Sequence, residues 1–188
     1  MLITGVPGSG KTTLGTELAG ALQIPFLARD AVRRGLFLTD GGWTDRPERV
    51  PTSTDSVEVF LRLVERMASL GVSCIVEFVV SPDRSDELRR LTAAGDCVVL
   101  RTECRDPLRR FERRNRRDRL LNRAPVLDAL GYASIDDHTT DSLARMRFVA
   151  EEMQTEFDLP LLPVRTDDGY DPGLDELVEF VVTATPSD

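Results

Sequence analysis

Residues 5–13 read GVPGSGKTT, and no other stretch constrains the chain as tightly. They follow a short apolar run at Leu2 and Ile3 and precede Leu14, Leu18 and Leu22 at helical spacing. The pattern G-x-x-x-x-G-K-[ST] between a strand and a helix describes a cradle for phosphate. Gly5, Gly8 and Gly10 permit backbone angles closed to other residues, so successive N–H groups can turn inward on an anion. The helix behind the loop starts with unpaired N–H groups and a partial positive charge. Lys11 is expected to reach the outer phosphates of a nucleoside triphosphate, and the Thr12 hydroxyl to hold the accompanying Mg²⁺. Gly8, Ser9, Gly10 and Thr13 complete the expected binding loop. A chance match in a chain this long is about one in a hundred. Of the 24 basic residues, Lys11 is the only lysine. It stands where an outer phosphate calls for a compact ammonium.

At 188 residues the chain is expected to form one domain with a full core. The net charge of −8 argues against general nucleic-acid binding and against anionic membranes. No apolar run approaches a membrane span; the first strand is expected from residue 2 with no basic-then-apolar leader before it, an abrupt start that leaves room for a longer natural N-terminus. The three cysteines show no CxxC or Cys/His spacing, which fits free thiols in a reducing cytoplasm.

Ile24–Ala28 reads as the second strand, with Arg29-Asp30 at its end and a short helix from Ala31 to about Phe37. Ligands of doubly wound sheets sit outside the carboxyl ends of the strands. Asp30 is therefore placed to orient an acceptor hydroxyl and take its proton, and it also suits a helix N-cap. Arg33 and Arg34 follow one turn later, either on the acceptor or on a solvated face. The Gly- and Pro-rich loop 39–53 holds Trp43, the sole tryptophan, as an acceptor-site wall or a packing anchor. Asp55 and Glu58 read as a capping box before a helix striped by Val57, Phe60, Leu61, Val64, Met67 and Ala68.

Val72–Val80 is a nearly continuous apolar run interrupted by Glu77. A carboxylate inside a buried parallel strand needs a metal or a partner. Glu77 is expected to reach the Mg²⁺; the alternative is an ion pair with an acceptor-site arginine such as Arg84. Ser81-Pro82 and Asp106-Pro107 each read as a cap followed by proline at the first helical position. Between Arg105 and Arg123 nine arginines face three acids, a local balance of +6 that leaves −14 for the rest. Arg109, Arg113 and Arg116 share one helical face, with Arg110, Arg114 and Arg117 on the next. This stretch, with residues 105–140 around it, is read as a lid over the triphosphate. Arg113, Arg116 and Arg117 are expected on the transferring group and Arg109 on the nucleotide. Residues 118–140 are expected to be irregular, with His138 in a surface capping role. Leu143, Met146, Val149, Met153 and Phe157 stripe the next helix. Leu161–Val164 forms the last strand, and a closing helix starts at Asp171-Pro172.

On GVPGSGKTT, LARD with Arg33, IVEF and DPLRRFERRNRR, the chain resembles the small P-loop kinases of adenylate-kinase-like fold. Within them it is most similar to AAA-33-type, gluconate-kinase and chloramphenicol-phosphotransferase-like phosphotransferases. The resemblance implies an α/β three-layer P-loop fold, a five-stranded parallel sheet in order 2-3-1-4-5, ATP and Mg²⁺. It implies the acceptor's base at Asp30, and backbone near Thr166 and Asp167 beside the adenine. Phe78, where small residues are more usual, is expected to reshape the acceptor site. The expected activity is γ-phosphoryl transfer from ATP to a hydroxyl of a sugar, nucleoside or antibiotic, by a monomer or homodimer. A nucleotide or polynucleotide 5′-end kinase and a regulatory nucleotide-binding module are the alternatives.

Overall fold

The computed structural model describes residues 1–39, 53–80, 84–118, 127, 132–152 and 159–184. Five parallel strands form one sheet: β1 (Leu2–Thr4), β2 (Phe26–Ala28), β3 (Ile75–Glu77), β4 (Val99–Glu103) and β5 (Leu161–Arg165). Their order is β2-β3-β1-β4-β5, as the resemblance implied. Parallel neighbours need long crossovers, and helices supply them: α1 (Lys11–Leu22), α2 (Arg29–Thr39), α3 (Ser53–Ser69), α4 (Ser85–Ala93), α5 (Pro107–Arg117), α6 (Ile135–Glu152) and α7 (Leu174–Ala184).

Strand periodicity splits the core into two layers. Leu2, Val76 and Val99 face Val57, Phe60, Leu61 and Val64 of α3 and Leu91 of α4. Ile3, Ile75, Leu100 and Val164 face Leu14 and Leu18 of α1 and Leu177 of α7. The stripes at 57–64 and 174–181 are thus core, as their spacing predicts. No helix among the described residues is long and apolar enough to cross a membrane.

Three sequence expectations shift. β2 runs straight into α2, which begins at Arg29, so Asp30 lies inside the first turn and not at the cap. The region expected to be irregular up to residue 140 is helical from Ile135, with Ser134 as its cap. Ser134 Oγ accepts from Asp137 N at 3.1 Å and donates to Asp137 Oδ2 at 2.8 Å. Ser-x-x-Asp is thus the start signal that the sequence carried there. His138 therefore sits one turn into α6, half-buried, with its ring edge-on to Tyr132 at 4.9 Å, and not in a surface cap. Phe78, expected to reshape the acceptor site, is 2% exposed and stacks on Phe60 at 5.8 Å, so its ring belongs to the core. The loop expected between 39 and 53 with Trp43, the Ser81-Pro82 helix start, Met153 and Phe157 lie outside what the structure describes, as do the side chains of Met146 and Val149 within α6.

Candidate active site

β1 lies between β3 and β4, so chains leaving their carboxyl ends diverge around one crevice. Residues 5–10 fill it. Gly8 has φ +88°, and a Cβ there would lie 2.1 Å from the Pro107 carbonyl oxygen, so only glycine lets the loop pass under α5. The Ser9 hydroxyl lies 2.6 Å from that of Thr102 and 2.7 Å from the Val6 carbonyl oxygen, pinning the loop to β4. Thr166, buried just past β5, donates to the Ser9 carbonyl at 2.8 Å. Helix α1 begins at Gly10 with no side-chain cap and no acid in its first turn. Its N–H groups and positive end are left for an anion.

Lys11 is 4% exposed and donates to the carbonyl oxygens of Gly5 and Val6, each at 2.9 Å. Burial pushes its pKa down to about 8, against the opposing pull of Glu77 and Asp30. Thr12 Oγ1 donates to Glu77 Oε2 at 2.8 Å. The hydroxyl and the last residue of β3 therefore meet at one point beside the cradle. Among the described residues no three His, Cys, Asp or Glu side chains gather as a cation site. One hydroxyl and one carboxylate fit Mg²⁺, which keeps waters and takes phosphate oxygens instead of an all-protein cage. Arg84 lies 5.7 Å over the Phe78 ring, so the alternative pairing of Glu77 with Arg84 is not what the structure brings together.

A cavity of about 700 Å³ opens from the cradle towards α5 and α2. Its α5 wall is Arg110, Arg113, Arg114 and Arg117, the i, i+3, i+4, i+7 face of one helix. Arg113 and Arg117, expected there, line it. Arg116 does not: it pairs with Glu112 at 2.8 Å and reaches Asp136 at 3.9 Å. Arg109 is exposed and off the cavity wall. The phase is set from the other side, where Asn115 is 4% exposed and donates to Thr139 Oγ1 of α6 at 3.4 Å. Arg110 and Arg114, from the neighbouring face, line the cavity as well, and so does Arg34, which was open between the acceptor and a solvated face. Arg110 donates to Thr166 Oγ1 at 3.1 Å and to the carbonyl oxygens of Thr166 and Asp167 at 2.9 and 3.2 Å. Thr166 thus holds both the loop and an arginine.

Asp30 stands beside the cavity, its carboxylate shared by Arg29 at 3.1 Å and Arg114 at 3.5 Å. Burial pushes its pKa up, and the charges of Arg29, Arg114, Arg33 and Lys11 outweigh that and hold it below the ordinary carboxylate value. It is ionised at neutral pH. A second bridge from α2 to the end of α5 joins Arg34 to Asp118. Arg33 is half-buried near Arg29, Asp30, Arg34 and Tyr132, off the cavity wall.

A parallel sheet of this order, a glycine loop with its lysine, and an arginine wall facing it define a nucleotide-binding protein of kinase-like P-loop fold. The chain belongs to the AAA domain family, whose profile matches residues 1–124. Solved structures agree on the fold. A candidate kinase from Chloroflexus aurantiacus J-10-fl is 22% identical over 98% of both chains, with a TM-score of 0.63. An unliganded sugar kinase from Janibacter sp. HTCC2649 is 19% identical over 97% of this chain and 91% of its own, with a TM-score of 0.51. A shikimate kinase from Bacteroides thetaiotaomicron is 17% identical over 97% and 95%, with a TM-score of 0.50. No curated protein sequence matches the chain. The fold is that of the small P-loop kinases of adenylate-kinase-like architecture.

Proposed function

We propose that the protein is an ATP- and Mg²⁺-dependent phosphotransferase that moves the γ-phosphoryl group to a hydroxyl of a small molecule. One observation carries the reading. A carboxylate, Asp30, stands where the Lys11 cradle and the arginine wall of α5 converge, linked to that wall through Arg114. A carboxylate there can serve as the acceptor's base, a role for which a protein that only bound nucleotide has no need.

The residues divide the work. The loop N–H groups and Lys11 hold the outer phosphates, and Lys11 leaves the Gly5 and Val6 carbonyls to do so. Thr12 and Glu77 would hold Mg²⁺, which neutralises charge on the phosphate oxygens. Arg110, Arg113, Arg114 and Arg117 surround the transferring group with fixed positive charge, which matters most when the group is loosely bound to both oxygens. Asp30 orients the acceptor hydroxyl. Its lowered pKa makes it a weak base for an ordinary alcohol, so it accepts the proton late, when the attacking oxygen has become acidic. Sugar and shikimate kinases among the similar folds support a small-molecule acceptor.

The test is ATP consumption with Mg²⁺ across pools of sugars, nucleosides, nucleotides, hydroxy acids and hydroxylated antibiotics. Stimulation by one pool is expected. Lys11→Ala should abolish it. Asp30→Asn should bind ATP normally and lose transfer by roughly 10²–10⁴-fold. Normal transfer in Asp30→Asn would remove the base from the mechanism.

A further inference from the structure

We propose that Thr166 is a positioning residue for phosphate: its hydroxyl turns the Ser9–Gly10 peptide so that the Gly10 N–H faces the triphosphate. This rests on the phosphotransferase reading for the nucleotide it invokes. Thr166 follows β5, the edge strand of the sheet, and is buried against the loop. Its hydroxyl carries one hydrogen and can also accept. Arg110 has only donors, so its Nη1, 3.1 Å away, takes the hydroxyl oxygen as acceptor and leaves the hydrogen for a carbonyl. Two carbonyl oxygens are in reach, that of Ser9 at 2.8 Å and that of Glu103 at 3.3 Å. The Glu103 oxygen already accepts from Thr166 N at 3.0 Å. The hydrogen therefore goes to Ser9, and the guanidinium strengthens that bond by polarising the hydroxyl.

A trans peptide points its N–H opposite to its carbonyl. With the Ser9 carbonyl drawn back onto Thr166, the Gly10 N–H is turned away from Thr166. Gly10 lines the cavity and Thr166 does not. The Thr166 side chain also lies flush on Gly10, where a Cβ would meet its Oγ1 at 3.1 Å, its Cβ at 3.2 Å and its Cγ2 at 3.3 Å. The Ser9 side chain is fixed separately, its hydroxyl shared between Thr102 and the Val6 carbonyl, so the Thr166 hydroxyl governs the peptide plane alone. Without that hydroxyl a buried carbonyl loses its donor. It then gains by swinging towards the cavity, where its oxygen would oppose the phosphate instead of the N–H meeting it.

Inorganic tripolyphosphate, which has neither base nor ribose, is the probe. With Mg²⁺ it is titrated calorimetrically into wild type, into Thr166→Val, which keeps the shape and loses the hydroxyl, and into Thr166→Ser, which keeps the hydroxyl. Thr166→Val is expected to bind it at least about tenfold more weakly, and Thr166→Ser to stay within about threefold of wild type. ATP should weaken by the same factor as tripolyphosphate in Thr166→Val. A loss confined to ATP would place the hydroxyl at the base end and overturn the proposal. Unchanged tripolyphosphate affinity in Thr166→Val, or an equal loss in Thr166→Ser, overturns it too. A second measurement needs no variant: in wild type carrying isotope-labelled glycine, tripolyphosphate should move the Gly10 amide proton downfield as its N–H meets the anion. A Gly10 amide that stays in place overturns the proposal. A tripolyphosphate site lost in Thr166→Val, with no turnover on any acceptor, would instead sink the phosphotransferase reading and leave this one standing. No binding by wild type overturns both.

Discussion

Two backbone carbonyls hold the Lys11 ammonium, and burial, against the pull of Glu77 and Asp30, brings its pKa from 10.5 to about 8. The native value lies below the unfolded one, so folding disfavours the charged form. The cost is about 3 kcal/mol below pH 8 and shrinks as pH rises from 8 towards 10.5. A triphosphate reverses the balance, because its charge favours the ammonium. Nucleotide binding at pH 8 should therefore take up about half a proton per site. Calorimetry in buffers of different ionisation enthalpy would show this as a slope in the apparent binding enthalpy. Lys11→Arg, always charged, should show none. A flat line for wild type would mean that Lys11 stays protonated in the free protein. This residue was legible in the sequence because the motif states its neighbours. Glu77 was legible for another reason: an acid alone in an apolar strand has to be explained. Arg34 was legible as an arginine near Asp30, yet its bridge to Asp118, 84 residues further along the chain, is a three-dimensional fact.

Helix α5 shows what element-level reading can and cannot reach. Its start was plain from Asp106-Pro107, and Asp106 Oδ1 accepts from Arg109 N at 3.0 Å. Its phase was not. With seven arginines from 105 to 117 every face is basic, so the spacing itself prefers none. Asn115 and the Gly8 contact choose the face instead, and both depend on partners distant in sequence, Thr139 and the P-loop. The same limit hid Arg110 behind Thr166. The loop–helix contact gives a prediction at this scale. A Cβ at Gly8 meets the Pro107 oxygen at 2.1 Å on a backbone with φ +88°. Gly8→Ala should push the loop and α5 apart, cost about 1–3 kcal/mol of stability, and weaken nucleotide binding at least about tenfold. Gly20→Ala, inside α1 with open space around it, should instead stabilise by about 0.5–1 kcal/mol and leave binding alone. Denaturant melts with and without nucleotide would separate the two. Equal behaviour would show that α5 yields to the loop.

Over the whole molecule, the site is where all five strands end. The P-loop follows β1, Asp30 follows β2, Glu77 closes β3, Pro107 and its arginines follow β4, and Thr166 follows β5. A ligand that touches all these ends ties the sheet's strand ends together, so nucleotide binding should register in global stability. At a hundred times its dissociation constant, nucleotide adds about 2.7 kcal/mol. For a chain of this size that raises Tm by roughly 5–11 °C. The shift should also report which face of α5 meets the ligand. Arg113 and Arg117 line the cavity and, among the described residues, make no ion pair. Replacing both by alanine should cut the shift at the same nucleotide concentration to less than half. Arg116 is held by Glu112 and Asp136, off the cavity wall. Arg116→Ala should keep the full shift, although it removes the same charge from the same helix. If charge alone mattered, one Arg116→Ala substitution would reduce the shift as much as either single replacement at 113 or 117. A thermal melt of the four variants with and without Mg²⁺–nucleotide therefore separates a lid that acts by position from one that acts only as a positive cloud.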